Sequence, residues 1–199
     1  MGDAAPFDKR RRAAARRVPD PMTLETPPSP WIQRWIGLCR PGGTALDVAA
    51  GGGRHTLLLS AHGLAVSAVD RDAAALRARV AGCEPAVRVV EADLEAGAPW
   101  PFAGETFDAV VVANYLHRPL FPALLAAVAP GGAFLHETFM VGNERHGRPR
   151  NPDFLLRDGE LLDVARAGGL SVVAYEALEL AMPRPAVVQR VAARRPAGA

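Results

Sequence analysis

The stretch Ala45-Leu-Asp-Val-Ala-Ala-Gly-Gly-Gly-Arg-His55 decides how this chain is read. It is an apolar run with one acid inside it, emptying directly into three glycines that open a helical stretch. That order reads as a strand, a tight loop and a helix N-terminus. Loop amides and the positive end of the helix dipole favour an anionic or polar group there, and glycine lets a ligand approach the backbone closely. A second apolar strand, Leu64-Ala-Val-Ser-Ala-Val69, ends in Asp70. A carboxylate at the tip of the neighbouring strand is placed to accept hydrogen bonds from both hydroxyls of a ribose. The alternative for Asp70 is an N-cap for a helix beginning near Asp72. Loop and acid together point to an adenosine-bearing ligand.

Outward from this core, strands and helices alternate. Strands are expected at 44 to 49, 64 to 69, 86 to 91, 107 to 113 and 132 to 138, and helices at 54 to 62, 72 to 81, 119 to 128 and 157 to 167. Such alternation predicts an α/β fold with a parallel sheet covered on both faces. Leu170 to Glu176 and Ala186 to Ala192 also read as strands, and the link between them, with Pro183 and Pro185, is too short for a crossover helix. These two are expected to pair antiparallel. The expected architecture is one doubly wound, mostly parallel seven-stranded sheet with an antiparallel C-terminal strand pair. Ahead of it, Trp31, Trp35 and Leu38 share one helical face, with Ser29 as N-cap and Pro30 after it. That helix is expected to pack on the sheet edge, the other reading being an aromatic ligand box.

Composition excludes several classes. The 199 residues, 49% apolar and 22% charged, suit one domain with a sizeable core, assigned to residues 31–193. Residues 1–30, rich in Pro, Arg and Ala, are expected to be a disordered basic tail. Cys39 and Cys83 lie far apart without metal-type spacing, which argues against a disulfide framework and fits a reducing compartment. No apolar run approaches the roughly twenty residues needed to span a bilayer, so a soluble, cytoplasmic protein is expected. The net charge of +2 conceals basic groups at Lys9 to Arg17 and Arg184 to Arg195. Without interleaved aromatics, these read as solvated arginines rather than a nucleic-acid surface.

Five segments in order give the chain a family resemblance: Leu46-Asp-Val-Ala-Ala-Gly-Gly-Gly53, Asp70, Glu91-Ala-Asp-Leu94, Phe107-Asp-Ala-Val-Val-Val-Ala-Asn114 and Ala129-Pro-Gly-Gly132. Over roughly residues 44 to 193 it resembles the class I S-adenosylmethionine-dependent methyltransferases. Ala49 stands where the family most often has glycine, which implies a wider loop or a negative φ. A dinucleotide-binding enzyme competes for the same residues. Its G-x-G-x-x-G pattern, laid from Ala49, puts Arg54 where the third glycine packs helix on strand. An arginine does not fit that contact.

The resemblance implies S-adenosylmethionine as cofactor, held by Asp47, Ala49, Gly51, Gly53, Arg54, Asp70, Arg71, Asp93, Leu94 and Asn114. Asp47, buried in an apolar strand, should hold the glycine-loop amides or, through water, the methionyl ammonium, or else only support the loop. Asp93 would accept from the adenine amine beside the Leu94 amide, unless it is a turn residue. Arg54 meets the methionyl carboxylate or is exposed. Methyl transfer asks mainly for alignment, so the sequence compels no catalytic residue. Tyr115, His117, Glu137 and Arg148 are the substrate-side candidates, though Tyr115 and His117 also suit pocket lining or capping. The long polar connection from Glu137 to Pro152 reads as a lid, whose Arg145, Arg148 and Arg150 could attract an anion while Glu137 and His146 orient or deprotonate the acceptor. It loosely resembles the tellurite-resistance type of small methyltransferase, implying a small thiol or metalloid-oxyanion acceptor. His136, Glu137 and His146 match no usual metal spacing. Action on RNA or protein, and non-catalytic binding of the cofactor, remain the alternatives.

Overall fold

The computed structural model describes residues 26–182 and 184–198. The tail expectation therefore lies, up to residue 25, outside the described residues. In chain order the strands are β1 (Thr44–Val48), β2 (Ala65–Asp70), β3 (Arg88–Glu91), β4 (Phe107–Ala113), β5 (Val128–Phe139), β6 (Ser171–Leu180) and β7 (Ala186–Arg194). The helices are α1 (Pro30–Trp35), α2 (Arg54–Ala61), α3 (Ala74–Val80), α4 (Phe121–Ala126) and α5 (Glu160–Ala167). The strands form one seven-stranded sheet in the order β3-β2-β1-β4-β5-β7-β6. The first five run parallel, while β7 lies antiparallel between β5 and β6.

Side-chain alternation explains why both faces are covered. Along β4, Val110 and Val112 enter one core with Leu124 of α4 and Leu161 of α5. Ala109 and Val111 enter the other, with Trp31 and Ile32 of α1 and Leu59 of α2. Buried on both sides, such a strand reads as a continuous Val-rich run. Leu76 and Val80 of α3 extend the second layer over Ala50 and Ala68.

Several expectations shift for local reasons. The helix read at 72 to 81 starts at Ala74, because the Asp72 amide donates to Asp70. That read at 119 to 128 becomes a 3-10 turn, Arg118–Leu120, followed by the shorter α4. The last helix starts at Glu160 behind Gly159, which is left-handed with φ 71°. Ala129 to Gly132 is not a turn ahead of the fifth strand but an irregularity inside β5, where the register against β4 slips between Phe107 and Ala109. A side chain at Gly132 would come within 2.8 Å of the Ala129 carbonyl, so only glycine fits. Ser29 does cap α1, accepting from the amides of Trp31 and Ile32. But α1 packs over the middle of the sheet, against residues of β1, β4, β5 and β7, rather than at its edge. Its Trp31 and Ile32 are buried there, and the Trp31 indole N–H donates to the Val191 carbonyl of β7 at 3.4 Å, inside the sheet rather than at its rim.

The C-terminal arginines are structural. The Arg195 guanidinium donates to the carbonyls of Leu125, Val128 and Gly168, closing the ends of α4 and α5, and Arg194 donates to Leu38. Cations suit the carbonyl ends of helices. No helix of the described residues is long and apolar enough to cross a membrane.

Candidate active site

The strand order reverses between β1 and β4, and the carboxyl ends of the parallel strands meet there. Open α/β sheets bind ligands at such a point. From β1 the chain enters the glycine loop through Ala49, which is left-handed at φ 53°. Gly51 and Gly53 are left-handed too, and a Cβ at Gly53 would fall 2.7 Å from the tip of the Leu76 side chain, which would have to shift. The expectation of a negative φ at Ala49 is overturned. Strain of this kind gathers at ligand sites.

Asp70 holds the loop. One carboxylate oxygen accepts from the Gly51 amide at 2.8 Å and the other from the Asp72 amide at 3.0 Å. Each oxygen keeps a further lone pair for an outside donor. The loop amide expected to go to Asp47 thus goes to Asp70. Asp47, 1% exposed, accepts instead from the Thr56 hydroxyl of α2 at 2.6 Å. Burial, only partly offset by Thr56, pushes its carboxyl up to about 7.

A cleft of about 520 Å³ opens at these strand ends, within the range of small-molecule sites. Ala49, Asp70 and Arg71 line its β1–β2 end; Ala92, Asp93, Leu94 and Glu95 follow from β3. Asp93 is also a turn residue, accepting from the Glu95 amide at 2.9 Å. Asn114, Tyr115 and Leu116 come from the end of β4, and Thr138 and Phe139 from β5. Asn114 is left-handed, φ 57°, while its amide donates to the Glu137 carbonyl, so the chain turns sharply out of β4 and brings Tyr115 to the cleft. His136 fixes that turn. Burial lowers its pKa to about 4, so the ring is neutral and its Nε2–H donates to the Tyr115 carbonyl at 3.1 Å. The Tyr115 phenol is pushed up by burial and by the negative charge of Glu95, Asp93 and Asp70.

Other expected site residues stand elsewhere. Glu137 is buried and does not line the cleft, its carboxylate 2.8 Å from Arg190 of β7, which also reaches Glu176 of β6. The three are register partners across adjacent strands, a charge ladder rather than a substrate contact. Arg54 donates to the Pro27 carbonyl at 3.1 Å and does not line the cleft. His55, neutral because burial lowers its pKa to about 3, accepts from the Ser29 amide. The two residues after the glycines therefore pin the segment leading into α1. His117 precedes the 3-10 turn without lining the cleft.

From the long connection, Pro149 and Phe154 line the cleft, not the arginines. Arg145 and His146 pair with Glu179, Arg150 donates to the Gly147 carbonyl, and Arg148 is exposed. No three His, Cys, Asp or Glu side chains gather for a metal among the described residues. Sequence reasoning missed Glu95, Thr138, Phe139 and Phe154 as cleft residues. The apolar Phe154-Leu-Leu156, out of place in a polar connection, was the available signal.

Residues 45–132 match the family model described as a methyltransferase domain. This region is a methyltransferase domain. The fold is the Rossmann-like methyltransferase fold, and its sheet continues beyond the matched residues through the antiparallel β6–β7 pair. TehB from Haemophilus influenzae is 18% identical with a TM-score of 0.66, the match covering 82% of this chain and 61% of TehB. A S-adenosylmethionine-dependent methyltransferase from Mesorhizobium loti is 20% identical, TM-score 0.64, covering 82% of this chain and 96% of that one. The 1,6-didemethyltoxoflavin-N1-methyltransferase of Burkholderia thailandensis, solved with its acceptor and S-adenosylhomocysteine, is 21% identical, TM-score 0.59, covering 81% and 74%. At these identities the likeness speaks for the fold. No curated protein matches the sequence.

Proposed function

We propose that the protein transfers the methyl group of S-adenosylmethionine to a small molecule seated over the ends of β4 and β5, releasing S-adenosylhomocysteine. The observation that carries this is Asp70. It braces the Gly51 amide yet retains two acceptor positions at the mouth of a nucleoside-sized cleft. Asp70 would take the ribose hydroxyls, Asp93 and the Leu94 amide the adenine edge, and the Ala49–Gly53 loop the amino-acid end, with Asp47 bracing α2 behind it. Arg71 and Asn114 form the rim.

Bound, the donor supplies a methyl on an already activated sulfonium. What remains for the chain is to hold a nucleophile in line about 3 Å away and keep water out. Tyr115, on the turn fixed by His136, lines the cleft at the end of β4 and would be the polar group nearest the acceptor. Docking on RNA or protein through the arginine-rich N-terminal tail concerns residues that lie, up to 25, outside the described ones; at the C-terminal end, Arg190, Arg194 and Arg195 are engaged within the fold.

Calorimetry with S-adenosylhomocysteine tests the reading. Binding is expected, and Asp70→Ala should weaken it by about 1.5–3 kcal/mol, the scale of hydrogen bonds to a charged group. No binding to the wild-type protein would refute the proposal; unchanged affinity in the variant would move the ribose elsewhere.

A further inference from the structure

Beyond the nucleoside end, the cleft has a wall that an anion would not choose. Resting on the methyl-transfer reading above, we infer that the acceptor is a planar aromatic amine, seated between the end of β5 and the connection that follows it, and that oxyanions and carboxylates are discriminated against.

Shape comes first. Phe139, Pro149 and Phe154 face the cleft together with Tyr115 and Leu116. Phe154 is 46% exposed, a large apolar side chain left open on the cleft rim. Its backbone is held on both sides: Arg118 donates to the carbonyls of Asp153 and Leu155 while paired with the buried Glu160. Pro149 is held as well, its carbonyl accepting from Asn143, whose own side-chain oxygen takes the Val187 amide. An aromatic face presented from fixed backbone is a preformed seat for a flat ring.

Charge is the second, independent observation. Of the three carboxylates that line the cleft, Asp70 and Asp93 serve the nucleoside end, while Glu95 stands against Tyr115 at the acceptor end, and the one lining guanidinium, Arg71, follows Asp70. Of the guanidinium groups that could have drawn an anion, Arg145 is paired with Glu179 and Arg118 with Glu160, Arg150 donates to a carbonyl, and the exposed Arg148 does not line the cleft. The Tyr115 phenol is pushed up first by burial and then by the Glu95 carboxylate beside it. The field of that carboxylate favours a neutral or cationic group and opposes a carboxylate or selenite.

In the transfer, the amine lone pair forms the new N–C bond as the S–C bond breaks. Its electrons stay on sulfur as the neutral thioether, and the methylated ammonium releases one N–H proton to water. Glu95 is the carboxylate placed to attract the amine.

The test uses the full chain saturated with S-adenosylhomocysteine and three probes: aminoquinoline, naphthoate of the same size, and selenite. Aminoquinoline should bind about tenfold more tightly than naphthoate, and selenite should not compete. Phe154→Ala should weaken aminoquinoline by about fivefold without changing affinity for S-adenosylhomocysteine, as loss of a rim anchor does. Glu95→Gln should narrow the preference for amine over naphthoate. Equal or tighter binding of naphthoate or selenite, no binding of aminoquinoline, or indifference to Phe154→Ala would each overturn the inference. Failure to load S-adenosylhomocysteine would instead strike at the methyl-transfer reading, and is seen first.

Discussion

Ala49 shows how much a single backbone angle decides at this site. Its φ of 53° turns the chain from β1 into the loop that Asp70 then fastens through Gly51. For an L-residue that conformation costs roughly 1–2 kcal/mol, against about 0.5–1 kcal/mol for the extra freedom that glycine carries into the unfolded chain. Ala49→Gly should therefore stabilise the protein by about 0.5–1 kcal/mol in urea unfolding, whereas Ala49→Val should destabilise it. Loss of stability in the glycine variant would remove the strain argument. At this scale the strand-tip acids were legible, because a carboxylate ending an apolar run has few structural reasons to be there. Glu137 was not. Its partners Arg190 and Glu176 stand on β7 and β6, and nothing local to residues 136–139 announces a charge pair across that distance.

The segment ahead of α1 behaves as an element in its own right. Ser29 caps the helix, its amide reaches His55, and the Pro27 carbonyl takes Arg54. A chain beginning at Thr26 should be more stable than one beginning at Trp31 by about 1–2 kcal/mol, the scale of a lost cap and its neighbours. Equal melting temperatures would deny the segment that role. The same joint gives a pH dependence. Burial lowers the His55 pKa in the fold to about 3, so the folded state resists a proton that the unfolded chain accepts. Its contribution is full above pH 6.5 and is lost as pH falls towards 3. Between pH 6.5 and 4 the wild-type protein should lose about 1–3 kcal/mol more than His55→Gln, which keeps an acceptor without titrating. Parallel slopes for the two would sink the claim. Among the elements, β4 and the β6–β7 pair were plain in sequence because runs of β-branched and apolar residues between turn signals have no other use. Helix starts were misjudged where Asp70 takes the Asp72 amide and where Gly159 turns left-handed, both settled by contacts rather than propensity.

For the whole molecule, a ligand that binds only the folded state adds stability by mass action. At a hundred times its Kd, S-adenosylhomocysteine should contribute about 2.7 kcal/mol and raise Tm by roughly 5–10 °C for a chain of this size. A flat response would mean that the cleft does not close on a nucleoside. The alternation of elements made the parallel half legible as a doubly wound sheet, without its strand order. The insertion of β7 between β5 and β6 was not, since sequence neighbours pair antiparallel in either arrangement and only the pairing of β5 with β7, from Ala133↔Arg194 to Phe139↔Val188, separates the two. That insertion bears on how the protein is made. On the ribosome, the open edge of β5 waits for a partner until residues 186–194 have emerged, exposing unsatisfied backbone groups of the kind that templates aggregation. Nascent chains stalled before β7 should therefore depend on chaperones far more than the released product does.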